Sequence, residues 1–141
     1  MQDSKFKNLP HKFEEGYERI KVSGKYNPDV VAINRTSKKA IIIESSTTND
    51  RKVNIGEMFQ ADKWLRDKGY QGTLIIVLDG NGGSPPTCKD QKERLLPLFE
   101  EYLKNSSTGL DKVLIVTQSD YEQASYNATN LENISVNIIT K

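Results

Sequence analysis

Two uninterrupted apolar runs constrain the fold of this chain more than any other feature. The first is TLIIVL at 73–78, and the second is KVLIVTQ at 112–118. A run without polar alternation is typical of a strand that is buried on both faces, and such strands occur in sheets covered by helices. The two runs therefore predict a central sheet that is flanked by helices.

Segments rich in β-branched residues and segments of helical periodicity alternate around these runs. The other predicted strands are 18–23, 29–34, 40–46 and 134–140. The predicted helices are 56–69, 89–105 and 121–133, after a helical or irregular lead-in over 3–16. The order is three strands, helix, strand, helix, strand, helix, strand. It predicts one mixed α/β domain over residues 1–141.

Composition excludes several classes of protein. Twenty Lys and Arg against 19 Asp and Glu give a net charge of +1, so the total charge indicates no partner of one sign. No stretch approaches the ~20 apolar residues of a transmembrane helix. The N-terminal residues lack the apolar segment of a signal peptide. Cys88 has no second cysteine to pair with, so we expect a reducing, cytoplasmic environment and no membrane association.

The segment NPDVVAINRTSKKAIIIESS, 27–46, predicts an antiparallel hairpin. With the turn centred on its Thr-Ser pair, opposed residue numbers sum to 73, so Val31 faces Ile42 and Asp29 faces Glu44. This register brings the two carboxylates to ~5 Å between Cβ atoms. Like charges that are directly opposed destabilise a sheet, so the pair requires neutralisation. A hard divalent cation with oxygen ligands would supply it.

A plainer interpretation of the two acids also fits the sequence. Asp29 caps a turn after Pro28, and Glu44 is a solvated acid at a strand end. Ser46 lies two residues further along the strand, so its side chain shares the face of Glu44 in either interpretation.

These residues together resemble the PD-(D/E)XK motif of restriction-endonuclease-like nucleases. Pro28-Asp29 opens the hairpin and Glu44-x-Ser46 closes it. The resemblance covers residues 12 to about 80, and the order of strands and helices extends it to about 120. It implies a restriction-endonuclease-like core with a central mixed sheet flanked by helices.

The helix that follows the hairpin adds to the resemblance. Ile55-Gly56 and Gln60 are similar to the corresponding helix in FokI-like cleavage domains of type IIS restriction enzymes. Gln60 with Trp64 resembles, more weakly, the Gln-x-x-x-Tyr element of RecB-type nucleases. Trp64 itself is predicted to pack in the core.

The resemblance implies a magnesium site. Asp29 and Glu44 would bind Mg²⁺, together with a main-chain carbonyl near Ser45. A further acid often comes from the N-terminal part of such domains. The candidates here are Glu14, Glu15 and Glu18, of which Glu15 is preferred.

One position departs from the pattern of the family. Its lysine would stand at 46, where this chain has serine, and a hydroxyl offers a hydrogen bond but no charge. A cation from elsewhere could replace it. The candidates are Arg51 and Lys52 in the loop after the hairpin and Lys63 on the helix, three residues after Gln60.

The function implied is Mg²⁺-dependent hydrolysis of DNA phosphodiester bonds by a restriction-type cleavage domain or subunit. Because affinity for DNA is largely electrostatic and the net charge is small, such a chain would form a homodimer or take sequence recognition from a partner subunit.

Two other interpretations remain. One is a catalytically inactive PD-(D/E)XK-like module that binds nucleic acid or protein. The other is a nucleotide-binding α/β domain that uses the glycine-rich LDGNGGSPP at 78–86, which requires that loop to lie at a helix N-terminus in a parallel sheet. A hairpin over 29–46 counts against the second interpretation.

Overall fold

The computed structural model describes residues 3–46, 51–79, 87–135 and 137–141. In this part of the chain, six strands form one sheet in chain order. The strands are β1 (Glu18–Ile20), β2 (Val30–Asn34), β3 (Lys39–Ser46), β4 (Gln71–Leu78), β5 (Gly109–Thr117) and β6 (Ile138–Thr140). The helices are α1 (Asp3–Lys7), α2 (Arg51–Lys68), α3 (Cys88–Leu98) and α4 (Gln118–Gln123), with a π-helical turn at Phe99–Leu103 and a 3₁₀ turn at Thr129–Asn133.

The sheet is mixed. β1, β2 and β3 form an antiparallel meander, β3, β4 and β5 run parallel, and β6 returns antiparallel to β5. The prediction of a mixed α/β domain with a helix-flanked mixed sheet is confirmed. The glycine-rich loop of the nucleotide-binding interpretation falls largely outside the described residues.

The β2–β3 hairpin has the predicted register. Val31 pairs with Ile42 and Ile33 pairs with Ala40, so opposed numbers sum to 73. The Asn34 side chain closes the turn, because its Oδ1 accepts hydrogen bonds from the main-chain N–H groups of Thr36 and Ser37, both at 3.1 Å. A short polar turn and two β-branched runs therefore suffice to fix this pairing.

Alternate residues of the central strands enter two separate cores. Ile42 packs on one face of the sheet with Met58 and Leu65 of α2 and with side chains of α3. Ile41 and Ile43 pack on the other face with side chains of α1, α4 and the 3₁₀ turn. Both faces of β3 are therefore covered, as the apolar run 40–43 requires.

Helix α2 begins earlier than the sequence predicts. The sequence predicts a loop after the hairpin and a helix that begins at residue 56, but the helix already starts at Arg51. Asn54 in its second turn is fully buried, as are Met58 and Ala61 one and two turns later. Packing of this face against the sheet overrides the turn-forming composition of the segment. Residues 47–50 lie outside the described part.

The remaining differences come from interruptions of the backbone. The predicted helix 89–105 is α-helical only as far as Leu98, and a π-helical turn continues it from Phe99. The change occurs two residues after Pro97, which has no N–H group to donate to the helix. The predicted helix 121–133 is split, because Ser125 and Tyr126 adopt positive φ angles of 53° and 59°. Only 3–7 of the lead-in is helical, and the strand predicted at 18–23 ends at Ile20.

A buried aspartate fastens α2 to the start of β5. Asp62 is 1% exposed. Its Oδ2 pairs with Arg66 Nε at 2.7 Å, and its Oδ1 accepts the main-chain N–H of Leu110 at 2.9 Å. Gly109 lies so close that a Cβ there would stand 2.3 Å from Oδ1, and its φ of 90° also favours glycine. This contact sets the position of α2 over the sheet.

We expect Asp62→Ala to lower the free energy of unfolding by about 2–3 kcal/mol, since it leaves a buried N–H donor without a partner and removes a charge pair. Asp67→Ala is the matched control. Like Asp62, Asp67 forms an ion pair with a basic residue four positions away on α2, but both it and its partner Lys63 are exposed. Loss of this pair is expected to change stability much less, because solvent screens an exposed ion pair. Urea unfolding of both variants measures the difference, and equal effects would contradict the anchoring role of Asp62.

Candidate metal centre

Asp29 and Glu44 meet at the open end of the β2–β3 hairpin. The main-chain N–H of Asp29 donates to Glu44 Oε1 at 2.9 Å, and the main-chain N–H of Ser45 donates to Asp29 Oδ2 at 2.8 Å. Each acid therefore binds the backbone beside the other. The hairpin register continued by one pair places both side chains on the face covered by α2. An ionised carboxylate has about four lone-pair sites, so both groups retain capacity for further ligands.

Burial makes both carboxylates hard to ionise. The pKa of Glu44 is raised to about 7, first by desolvation and also by the Asp29 charge, while the hydrogen bond from the Asp29 N–H opposes the rise. Desolvation also raises the pKa of Asp29, while the hydrogen bond from Ser45 lowers it. The interpretation of Glu44 as a solvated strand-end acid does not fit this burial. Two partly desolvated acids side by side favour a bound cation or a shared proton.

Glu57 on α2 is a third acid of this region, and it is not among the acids predicted from the sequence. Its pKa is raised to about 8, first by desolvation and also by the charges of Glu44 and Asp29. Its Oε2 is buried and has no hydrogen-bond partner in the structure. A signal was present: Glu57 lies three residues after buried Asn54 and four before buried Ala61, so it shares the inward face of the helix.

Further polar groups lie unusually deep around these acids. Within the described part of the chain, the buried Tyr26 hydroxyl has no hydrogen-bond partner, and its pKa is raised by desolvation and by the charges of Glu44 and Glu57. The same lack of partners holds for both polar atoms of the fully buried Asn54 side chain. Ser46 is also buried, at the end of β3. Buried polar atoms are usually satisfied, so the Tyr26 and Asn54 groups are typical of a site that is completed by an ion or water.

The other predicted site residues are placed elsewhere. Gln60 and Lys63 lie on the exposed side of α2, where Lys63 pairs with Asp67 at 2.6 Å. Lys52 is exposed in the first turn of α2, near the end of the hairpin in the chain. Glu15 is exposed ahead of β1, and no hydrogen bond or ion pair within the described residues joins it to the acids.

The N-terminal acid whose charge acts on the centre is Asp3, not one of the candidates from the sequence. Its charge raises the pKa of Asp29, Glu44 and Glu57. Of the other two candidates, Glu14 binds Thr129 through its main-chain N–H and Glu18 pairs with Arg35 on the β1–β2 edge.

No basic side chain of the described residues forms an ion pair with Asp29 or Glu44. Lys7 on α1 lowers the pKa of both acids by its charge, as a minor contribution after burial. Arg51 stands at the start of α2. The cation that would replace the motif lysine is therefore not provided by a direct contact among the described residues.

Three further side chains take no part in this centre. On the opposite face of the sheet, the Nε2–H group of His11 donates to the Phe6 carbonyl, and its Nδ1 shares a hydrogen bond with Tyr121 Oη, both at 2.6 Å. Burial raises the pKa of the Cys88 thiol to about 11, so it stays protonated at neutral pH. Trp64 packs partly buried against the core, as predicted.

The residues present fit a lightly coordinated Mg²⁺. Among the described residues, no group of three or more His, Cys, Asp and Glu side chains is arranged to hold a metal. The protein donors would then be the Asp29 and Glu44 carboxylates and the main chain near Ser45. Mg²⁺ usually keeps several waters and takes only one or two carboxylates, so this donor set is sufficient.

No family model, curated protein or solved structure matches the chain. In the described segments, no helix has the length and apolar character needed to cross a membrane.

The metal-free protein is expected to lose stability as the pH rises from about 4.5 to about 8. Glu44 and Glu57 have pKa values of about 7 and about 8 in the folded protein and ordinary values near 4.5 in the unfolded chain. The folded protein therefore binds more protons in this window, and stability declines as those protons are lost. We expect Glu57→Gln to flatten the decline and to stabilise the protein at pH 8 by about 2 kcal/mol.

Urea unfolding in EDTA at several pH values measures this effect. Glu101→Gln is the control, because Glu101 is an exposed acid on the π-helical turn. An unchanged pH profile in Glu57→Gln would show that this carboxyl is hydrated in solution.

Proposed function

We propose that the protein is a Mg²⁺-dependent DNA endonuclease with a restriction-endonuclease-like core. The observation that carries the proposal is a pair of half-buried carboxylates at the open end of a hairpin. Glu44 accepts the main-chain N–H of Asp29, and Asp29 accepts the main-chain N–H of Ser45. The Pro28-Asp29 and Glu44-x-Ser46 spacing of the nuclease motif coincides with this pair. The order of strands and helices agrees with the same core.

The proposed chemistry is hydrolysis of a phosphodiester bond. When bound, Mg²⁺ would lower the pKa of a ligated water and stabilise the charge that develops on the phosphate. Asp29 and Glu44 would hold the ion in their ionised forms, so Glu44 would release its proton when the site is filled. The Asp29 N–H fixes the orientation of the Glu44 carboxylate. Glu57 has the burial and raised pKa of a group that takes up a proton near neutral pH.

The position of the motif lysine is filled by Ser46, which offers a hydroxyl beside Glu44. A positive group must then come from another residue, or the ion alone stabilises the phosphate. Lys52 is the better placed of the predicted cations, because α2 starts next to the end of β3 in the chain. Lys63 lies on the exposed side of the same helix and is held by Asp67.

The proposed biological unit is a restriction-type cleavage domain or subunit that works in the cytoplasm. The net charge of +1 supplies little nonspecific attraction for DNA. Sequence recognition is therefore assigned to a partner subunit, or both strands are cut by a homodimer.

A second candidate is a catalytically inactive PD-(D/E)XK-like module that binds nucleic acid or protein. Serine at position 46 favours it, together with the lack of a direct cation contact to the two acids among the described residues. Both candidates place the same hairpin at the functional end of the sheet, and only cleavage distinguishes them.

Plasmid nicking with Mg²⁺ or with EDTA tests the proposal. We expect Mg²⁺-dependent nicking by the parent protein, and a loss of at least ~100-fold in Glu44→Gln and Asp29→Asn, since several kcal/mol of stabilisation depends on the ion. Mg²⁺ is also expected to raise the melting temperature of the parent but not of Glu44→Gln. Glu101→Gln is the control.

Full nicking by Glu44→Gln would place the reaction elsewhere in the chain. No nicking by the parent, alone or with partner subunits, would favour the inactive module.

Two of the three predicted cations, Lys52 and Lys63, give a further test. We expect Lys52→Ala to lower the cleavage rate by ~10-fold or more, about 1.4 kcal/mol in the barrier, because it removes a positive group near the phosphate. Lys63→Ala is expected to cleave like the parent and serves as the matched control on the same helix. Single-turnover rates measure both. Equal rates for the parent and both variants would mean that the ion alone stabilises the phosphate.

A further inference from the structure

A surface cavity of about 430 Å³ lies at the other end of α2 from the acids. Its walls come from β1 and the residues after it, from β2, and from the C-terminal turns of α2. Lys21, Arg35 and Lys68 contribute positive charge, and none of the described residues that line the cavity is acidic. Glu18 binds Arg35 Nε from outside the lining, but guanidinium has five N–H donors and keeps the others.

Two aromatic side chains complete the cavity. Trp64 and Tyr70 both line it while they pack partly buried against the core. A positively charged groove with aromatic side chains is the arrangement by which proteins bind single-stranded nucleic acid: cations contact phosphates, and rings stack on bases.

One side chain outside the cavity, Tyr26, interacts both with its lining and with the acids. The Trp64 ring lies 6.4 Å from the Tyr26 ring, centroid to centroid. The charges of Glu44 and Glu57 in turn raise the pKa of Tyr26. Along α2, Trp64 follows Glu57 by seven residues, about 10 Å at 1.5 Å per residue. This separation equals about three steps of a nucleic-acid strand at ~3.4 Å per step.

We propose that this cavity, between the end of α2 and the β1–β2 edge, binds a single-stranded segment of nucleic acid. Lys21 and Lys68 contact its phosphates, and Trp64 stacks on a base. The assignment rests on the proposed function only for its biological meaning: the segment would be the strand that extends from the scissile phosphate. Binding itself requires neither the metal nor cleavage.

The sole tryptophan of the chain, Trp64, makes binding directly observable. The probe is oligothymidylate of roughly 12 nucleotides, within the usual site sizes for such grooves. It is titrated in EDTA while Trp64 emission and the anisotropy of a labelled copy are followed. Lys21→Ala with Lys68→Ala removes two charges from the cavity. Lys12→Ala with Lys104→Ala removes two exposed charges elsewhere and is the matched control.

We expect the oligonucleotide to quench Trp64. In the cavity variant, the slope of log affinity against log salt is expected to fall in magnitude by about 1.4, two contacts at ~0.7 each. The control variant keeps the parent slope. Inorganic polyphosphate, which has no bases, is expected to compete for binding without quenching Trp64.

An unchanged slope and affinity in the cavity variant would overturn the assignment, as would Trp64 emission that stays constant at saturation. Quenching by polyphosphate equal to that by the oligonucleotide would also overturn it, because stacking would then play no part. Binding with the expected pattern but no cleavage by any preparation supports the cavity assignment and rejects the endonuclease proposal. Cleavage with unchanged binding in the cavity variant gives the reverse result.

Discussion

The burial of β3 on both faces is the constraint from which the rest of the structure follows. Its isoleucines alternate between two cores, so each face of the sheet must carry its own layer of helices. On one face that layer is α2, which Asp62 fastens to the start of β5. Glu44 lies at the end of β3 on the face that carries α2, and desolvation by burial is the main cause of its raised pKa. Burial, which stabilises the domain, is thus also the cause of the raised pKa of its acids.

Much of this fold can be predicted from the sequence, because it depends on local patterns. The hairpin register follows from β-branched runs on either side of a short polar turn, and it correctly opposes Val31 to Ile42. The two continuous apolar runs correctly indicate strands buried on both faces, and the two strands pair in the parallel part of the sheet. Helix boundaries were less accurate, since α2 starts where tertiary packing of Asn54 outweighs a composition typical of a loop.

The candidate site was only partly predictable, for a related reason. Asp29 and Glu44 stand in one hairpin, so their proximity is a matter of register. Glu57 comes from a different element, and its approach to Glu44 depends on where α2 crosses the sheet. The direction in which Lys63 points depends on the rotation of the same helix about its axis, and the side chain lies beside Asp67 in solvent. Contacts between elements that are distant in the sequence can be predicted only when the packing angle between the elements is known, and a single sequence does not give that angle.

The two edges of the sheet bear on how copies of this chain can associate. β1 and β6 are both three residues long, so each edge offers few unpaired main-chain groups to another strand. Continuous sheet formation across two subunits would gain few hydrogen bonds. A pair of subunits is then left with the helical surfaces, where Tyr102 on the π-helical turn is 66% exposed. The geometry of any assembly would be set by side-chain packing between helices, and its two hairpin ends would face according to that packing.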